Sequence, residues 1–305
     1  MTTTLMLLGH SHMHCIIRAL RVQDLSKNLK WSCLNPKQLE RSVRGESDAL
    51  TLPEIQKLVE REIVDEVRKI GELERELEPE QVPEFVKQKD IDVVLCLRGE
   101  HYAQHGLTQT NPPYDFVLPG YETLPFEAGA QIVPYKAVYE HYERILRSTL
   151  DQISQYHTLF QHNLYHLEIP PPYEDNDYMS KHLHTYLARA HPSGFQIASP
   201  TLRFKLWRIC SDIYRHKCES LGIKYVPVPS ETMVDGRYLA PTYFDDGFHG
   251  NRSYGKQVVQ NFILKVKSQP ARASTSWETK VPHGTSKSSA AAARKLQGGS
   301  LSDQR

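Results

Sequence analysis

Leu5-Met6-Leu7-Leu8-Gly9-His10-Ser11-His12 is the stretch on which the reading of this chain turns. An unbroken apolar run ended by glycine has the pattern of a strand buried on both faces of a parallel sheet. A sharp turn after such a strand exposes a serine hydroxyl and brings backbone N–H groups close to it, as a serine nucleophile requires. By itself Ser11 reads equally as the N-cap of the next helix. A second stretch, Asp246-Gly247-Phe248-His249, stands near the other end of the fold. An aspartate three residues before a histidine can orient the imidazole that deprotonates a serine. Alone, Asp246 is a turn former beside Asp245, and His249 a surface histidine in a glycine-rich loop. Placement joins the two stretches: one ends the first strand, and the other opens the last helix. Ser11, Asp246 and His249 are therefore the candidate catalytic residues.

Working outward, further strands are expected at residues 29–34, 91–97, 164–169 and 225–229, besides the first at 4–8. Between them lie amphipathic stretches. In 54–78 the apolar residues Ile55, Leu58, Val59, Ile63, Val67, Ile70, Leu73 and Leu77 follow helical spacing, against an outer face dense in Glu, Lys and Arg. That helix reads as a cap or an oligomer surface, and its charge pattern also suits a plain solvated face. Other helices are expected at 136–160, 201–221 and 253–267. Alternating strand and helix predict an α/β three-layer sandwich around a parallel sheet of about five strands. Reactive groups in such sheets gather beyond the carboxyl ends of the strands, where Ser11 falls. The organisation expected is one domain over 1–267, with insertions at about 46–89 and 100–135, and a disordered tail over 268–305. The proline-rich 108–129 suits a loop near the site mouth, and Pro170-Pro171-Pro172 stiffens the turn after a strand.

Composition narrows the function. The chain has 305 residues, 39% hydrophobic and 24% charged, with net charge +1. Residues 268–305 hold six Lys/Arg and two Asp/Glu, so that stretch is about +4 and the rest about −3. A mildly acidic body argues against nucleic acid as the main partner. No apolar run approaches the roughly 20 residues that span a bilayer. Met1-Thr2-Thr3-Thr4 lacks the basic start of a secretion signal. The five cysteines have no paired metal spacing and suit reduced thiols, so a cytoplasmic protein is expected.

Gly9-His10-Ser11-His12 resembles the first block of the SGNH/GDSL hydrolase superfamily, with His10 where Gly-Asp-Ser has aspartate. Asp246-x-x-His249, followed by Tyr254-Gly255, resembles the last block, which supplies the acid and base of the triad. The resemblance spans about residues 4–267 and implies a flavodoxin-like sheet and a serine esterase needing no cofactor and no metal. It implies a small-molecule or carbohydrate ester as substrate, such as an O-acetyl group on a sugar. It also implies an oxyanion hole built from the N–H after the nucleophile, at His12, with Gly45 and a third-block residue. That third block resembles Arg98-Gly99-Glu100-His101, where Gly99 replaces asparagine and removes a side-chain donor, a loss of about 10²–10³ in rate unless another group substitutes. Arg98, His101 and Asn111 are the candidates near it in sequence.

Three other readings use the same residues. Transfer of the acyl group to an alcohol instead of water makes the triad an acyltransferase. His10, His12 and His14 at a strand end are also how metal-dependent amidohydrolases begin, with alternate histidines facing one side. His101, His105, His182, His184, His191, Asp246 or His249 would then supply further ligands. A non-catalytic binding protein on the same fold is the third, its groove lined by the aromatics and prolines of 108–135 and 170–178.

Overall fold

The computed structural model describes residues 3–22, 29–36, 38, 52–97, 106–190 and 194–262. Five parallel strands form the central sheet: β1 (Thr3–Gly9), β2 (Leu29–Leu34), β3 (Ile91–Cys96), β6 (Leu164–Leu167) and β7 (Lys224–Val226), in the order β2-β1-β3-β6-β7. Taken as successive sheet strands this is the flavodoxin-like order 2-1-3-4-5. β1 lies between β2 and β3, which explains its unbroken apolar run: Leu5 to Leu8 are buried on both faces. The expected strand at 225–229 is shorter and begins one residue earlier.

The reversal of direction at β1 makes the fold three-layered. Right-handed crossovers put the β1–β2 connection on one face and the connections running from β2 to β7 on the other. Helix α1 (Met13–Leu20) occupies the first face beside α7 (Arg252–Asn261). A Cβ on Gly255 would stand 2.8 Å from the Ile16 nitrogen and closer still to the Cys15 carbonyl, so only glycine lets these backbones approach. The other connections contain α2 (Leu52–Ile70), α3 (Val82–Gln88), α4 (Tyr135–Phe160), α5 (Asn176–Ala190) and α6 (Pro200–Ser220). The apolar stripe expected over 54–78 ends as a helix at Ile70, followed by Gly71 and Glu72, the latter at φ 56°. Its residues Ile63, Val64, Val67 and Ile70 are buried, so α2 serves as a crossover helix on the sheet. The segment read as an insertion at 46–89 thus supplies, over 52–88, the crossover helices α2 and α3 between β2 and β3. The tail at 268–305 lies outside the described residues. No helix among the described residues is long and apolar enough to cross a membrane.

The loop before α4 is irregular, as its prolines suggest, and is tied to α6 by a buried ion pair. Lys205 Nζ lies 2.9 Å from Asp115 Oδ1, with both side chains almost wholly buried. Asp115 also accepts the N–H groups of Phe116 (2.6 Å) and Glu127 (2.7 Å). Glu127 in turn accepts from Ser199 N (2.9 Å) and from the Gln109 side chain. Short strands β4 (Tyr114–Asp115) and β5 (Gln131–Ile132) pair in parallel within this loop. Lys205→Met should lower stability by about 3–5 kcal/mol, because it leaves the Asp115 charge buried without its cation. Chemical denaturation measures this, and a loss below ~1 kcal/mol would refute a role for the pair in holding the loop.

Candidate active site

β1 delivers Ser11 by stopping one register step beyond its last apolar residue. Gly9 is the register partner of Cys96 at the end of β3. A Cβ there would collide with the Cys96 carbonyl oxygen and lie 2.7 Å from its Cβ. His10 N donates to Cys96 O (3.1 Å), which turns the chain out of the sheet. Met13 N and His14 N then close onto His10 O and Ser11 O, each at 3.0 Å, and begin α1. The N-cap position falls on His12, whose side chain makes no capping bond. Ser11 is half-buried in this turn, with His10 and His12 buried on either side of it.

The second half of the site comes from the loop before α7. Asn251 caps that helix, its side chain accepting from Ser253 N and Tyr254 N. Gly247, at φ 99°, allows the turn between Asp246 and His249. His249 Nδ1 lies 2.7 Å from Asp246 Oδ2 and 2.9 Å from Oδ1. The same carboxylate accepts the backbone N–H groups of Phe248 (3.1 Å) and His249 (3.0 Å). Burial pushes the Asp246 carboxyl up, but the imidazole bond, its charge and the two backbone donors outweigh that and hold it well below the usual carboxylate range. The ionised Asp246 accepts a hydrogen bond from Nδ1–H of His249, the tautomer that leaves Nε2 as the ring's acceptor. That Nε2 is buried and has no hydrogen-bond partner among the described residues.

The two halves meet. The rings of His12 and His249 have centroids 4.7 Å apart, inclined at 54°. Arg18 of α1 pairs with Asp245 at 2.9 Å, at a half-exposed site where the pair adds little energy but fits the docked arrangement. Burial, followed by the nearby His249, lowers the pKa of His12 to about 3, so its ring is neutral at ordinary pH.

Sequence reasoning missed what holds the Asp246–His249 loop. The buried Tyr173 hydroxyl donates to the His249 carbonyl and accepts from Asp245 N (2.9 Å), while its ring stacks on Phe244 at 3.8 Å. Tyr178 donates to Asp245 O at 2.6 Å. Arg203, buried in α6, donates to Tyr173 O (2.7 Å), to Asn176 Oδ1 (2.7 Å) and to the Ala198 carbonyl. The only signal was Pro170-Pro171-Pro172-Tyr173, read as a stiff turn with no partner named.

The remaining candidates separate. Gly45 and Gly99, with Arg98 and His101, lie outside the described residues, and Asn111 is exposed in the loop before β4. The strand arrangement that the metal reading needs is not formed, while His101, His105 and His191 lie outside the described residues. That reading needs His10, His12 and His14 on alternate positions of a strand, but β1 ends at Gly9, and the three fall in a turn and a helix with His14 exposed. Among the described residues the sheet is open and five-stranded, where a metal-dependent amidohydrolase barrel has eight strands. Among the described residues no three His, Cys, Asp or Glu side chains converge as a metal would need. His182 and His184 are exposed on α5.

Two tests follow from this geometry. Tyr173→Phe keeps the ring and removes the hydroxyl from two backbone partners; it should cost about 1–3 kcal/mol in thermal or chemical unfolding, and an unchanged melt would show the clamp to be slack. Stability should also fall in mild acid. His12 and His166 have folded pKa values lowered to about 3 and about 4, by burial first, against 6.5 in the unfolded chain. The unfolded chain therefore binds protons first: this stability is complete above pH ~6.5 and is lost as pH falls toward 4, on the order of 3 kcal/mol per histidine. His166 stacks between Tyr214 and Tyr225, so His166→Phe should flatten the slope of melting temperature against pH over this range, and an unaltered slope would disprove its share.

Comparison with known proteins adds little to this geometry. No family model matches the chain, and no curated protein matches it. Among solved structures it is similar to a GDSL-like lipase from Bacteroides thetaiotaomicron, at 10% identity and a TM-score of 0.39, covering 87% of each chain. It is also similar to a protein from Bacteroides fragilis assigned as an acylhydrolase, at 11% identity and a TM-score of 0.37, covering 87% of this chain and 86% of that one. A reading of function therefore rests on the site itself.

Proposed function

We propose that the chain is a serine hydrolase that cleaves a carboxylic ester, with Ser11 as nucleophile, His249 as general base and Asp246 as the group that orients it. The observation that carries this reading is the state of His249. One ring nitrogen is bound to a carboxylate at 2.7 Å, the other is buried without a hydrogen-bond partner among the described residues, and the ring packs on the residue that follows Ser11. An imidazole so fixed is poised to accept a proton from a neighbouring hydroxyl.

In the reaction the Ser11 oxygen attacks the ester carbonyl carbon as its proton passes to His249 Nε2. The carbonyl π pair moves onto oxygen, where the His12 N–H at the start of α1 is the proposed donor. Collapse of the tetrahedral species expels the alcohol oxygen, which takes the proton back from His249. A water then repeats the sequence on the acyl-serine, with His249 again as base, and releases the acid and free Ser11. Throughout, Asp246 stays ionised and stabilises the imidazolium that forms twice per cycle. Burial of the neutral His12 ring against His249 keeps a second positive charge away from that imidazolium.

A fluorophosphonate probe followed by peptide mass spectrometry tests this assignment. Labelling is expected on Ser11 and should drop by at least 10²-fold in His249→Ala, a change of about 2.7 kcal/mol in barrier. A folded protein left unlabelled would reject the triad and favour the non-catalytic binding reading.

A further inference from the structure

A small cavity lies between α1, α7 and the carboxyl ends of β1, β3 and β6. Its walls include His12, Cys15 and Ile16, then Cys96, Ile169 and Val258. In an open α/β sheet the crevice beyond the strand ends, where strand order reverses, is where ligands bind. Here the reversal falls between β1 and β3. Cys96 is the register partner of Gly9, and His12 is the neighbour of Ser11, so the cavity adjoins the turn that presents the serine.

Its chemistry is that of a hydrocarbon site. Aliphatic side chains and two buried thiols make up most of the wall, and the Cys15 thiol is turned toward the His12 carbonyl at 3.1 Å. Glu168 borders it: its Oε2 accepts from Val228 N at 2.9 Å, and its Oε1 faces Arg215 at 3.9 Å without a hydrogen bond among the described residues. The His12 ring is neutral. Size is the second constraint: the space open to the centre of a water molecule is about 30 Å³. A single water needs ~10–15 Å³ on that measure, so two or three small groups fill it.

We propose that this cavity receives the acyl group of the substrate and confines the site to esters of two- or three-carbon acids. The proposal rests on the triad reading above, because it needs an acyl group bound to Ser11. Between α1 and α7 the space is bounded where Gly255 packs against the Cys15 backbone. Methylene-sized misfits in apolar pockets change rates by roughly 10–200-fold, so the cutoff should be steep.

The test uses the full chain with p-nitrophenyl acetate, propionate, butyrate and octanoate, alongside fluorophosphonate labelling. Acetate and propionate should exceed octanoate by at least about tenfold in kcat/KM. Val258→Ala should move the best substrate one or two carbons longer, and Val258→Met should depress propionate relative to acetate. Labelling of Ser11 should persist in both variants. The opposite volume changes guard against one variant failing to fold. If wild-type Ser11 takes no label, the triad fails and the acyl pocket falls with it. If Ser11 is labelled but octanoate is turned over as fast as acetate, or neither folded variant changes the chain-length order, the triad stands and the pocket is overturned.

Discussion

The Tyr173 hydroxyl ties the Asp246–His249 loop to the body of the fold, and the rest of the candidate site follows from that attachment. It donates to the His249 carbonyl and accepts from Asp245 N, so it fixes the backbone on both sides of Asp246. Asp246 then has little freedom: its two oxygens serve the imidazole and two backbone N–H groups of its own turn. The loop before α7 would otherwise fluctuate, and in the proposed mechanism a general base displaced by ~1 Å loses about 10²-fold in rate. Arg203 supports Tyr173 from α6, so the hold reaches the opposite layer of the sheet.

The Ser11 side of the site is brought close by backbone proximity at two glycines. Gly9 lets β1 end against the Cys96 carbonyl, and Gly255 lets α7 lie against the backbone of α1. These contacts bring the first turn and the last helix together without intervening side chains. The Ser11 turn and the Asp246–His249 turn therefore share one wall, where the His12 and His249 rings meet. The small cavity under that wall is the space left where α1, α7 and the strand ends do not fully interlock.

Much of this was legible in the residues. The apolar run before Gly9 predicted a doubly buried strand, and the helical spacing over 54–78 predicted a helix, because burial on a sheet leaves a periodic stripe whatever its partner. The pairing of Asp246 with His249 was readable because it is local, three residues apart across one turn. The C-terminal end of α2 was misjudged: Leu73 and Leu77 continue the stripe, but Gly71 and the left-handed Glu72 break the helix first. The histidines at 10, 12 and 14 looked like a metal row only if the strand continued through them.

By itself the sequence determined the five strands of the sheet and the helices α2, α4, α6 and α7, and it put Asp246 and His249 in one turn, since local pattern and chemistry are properties of neighbouring residues. Only the tertiary structure decided that Tyr173 and Arg203 hold the Asp246–His249 loop, that His12 stands against His249, and that a cavity opens beside them. Those contacts join residues dozens to hundreds of positions apart, and they exist because the reversal of strand order at β1 puts α1 and α7 on the same face of the sheet.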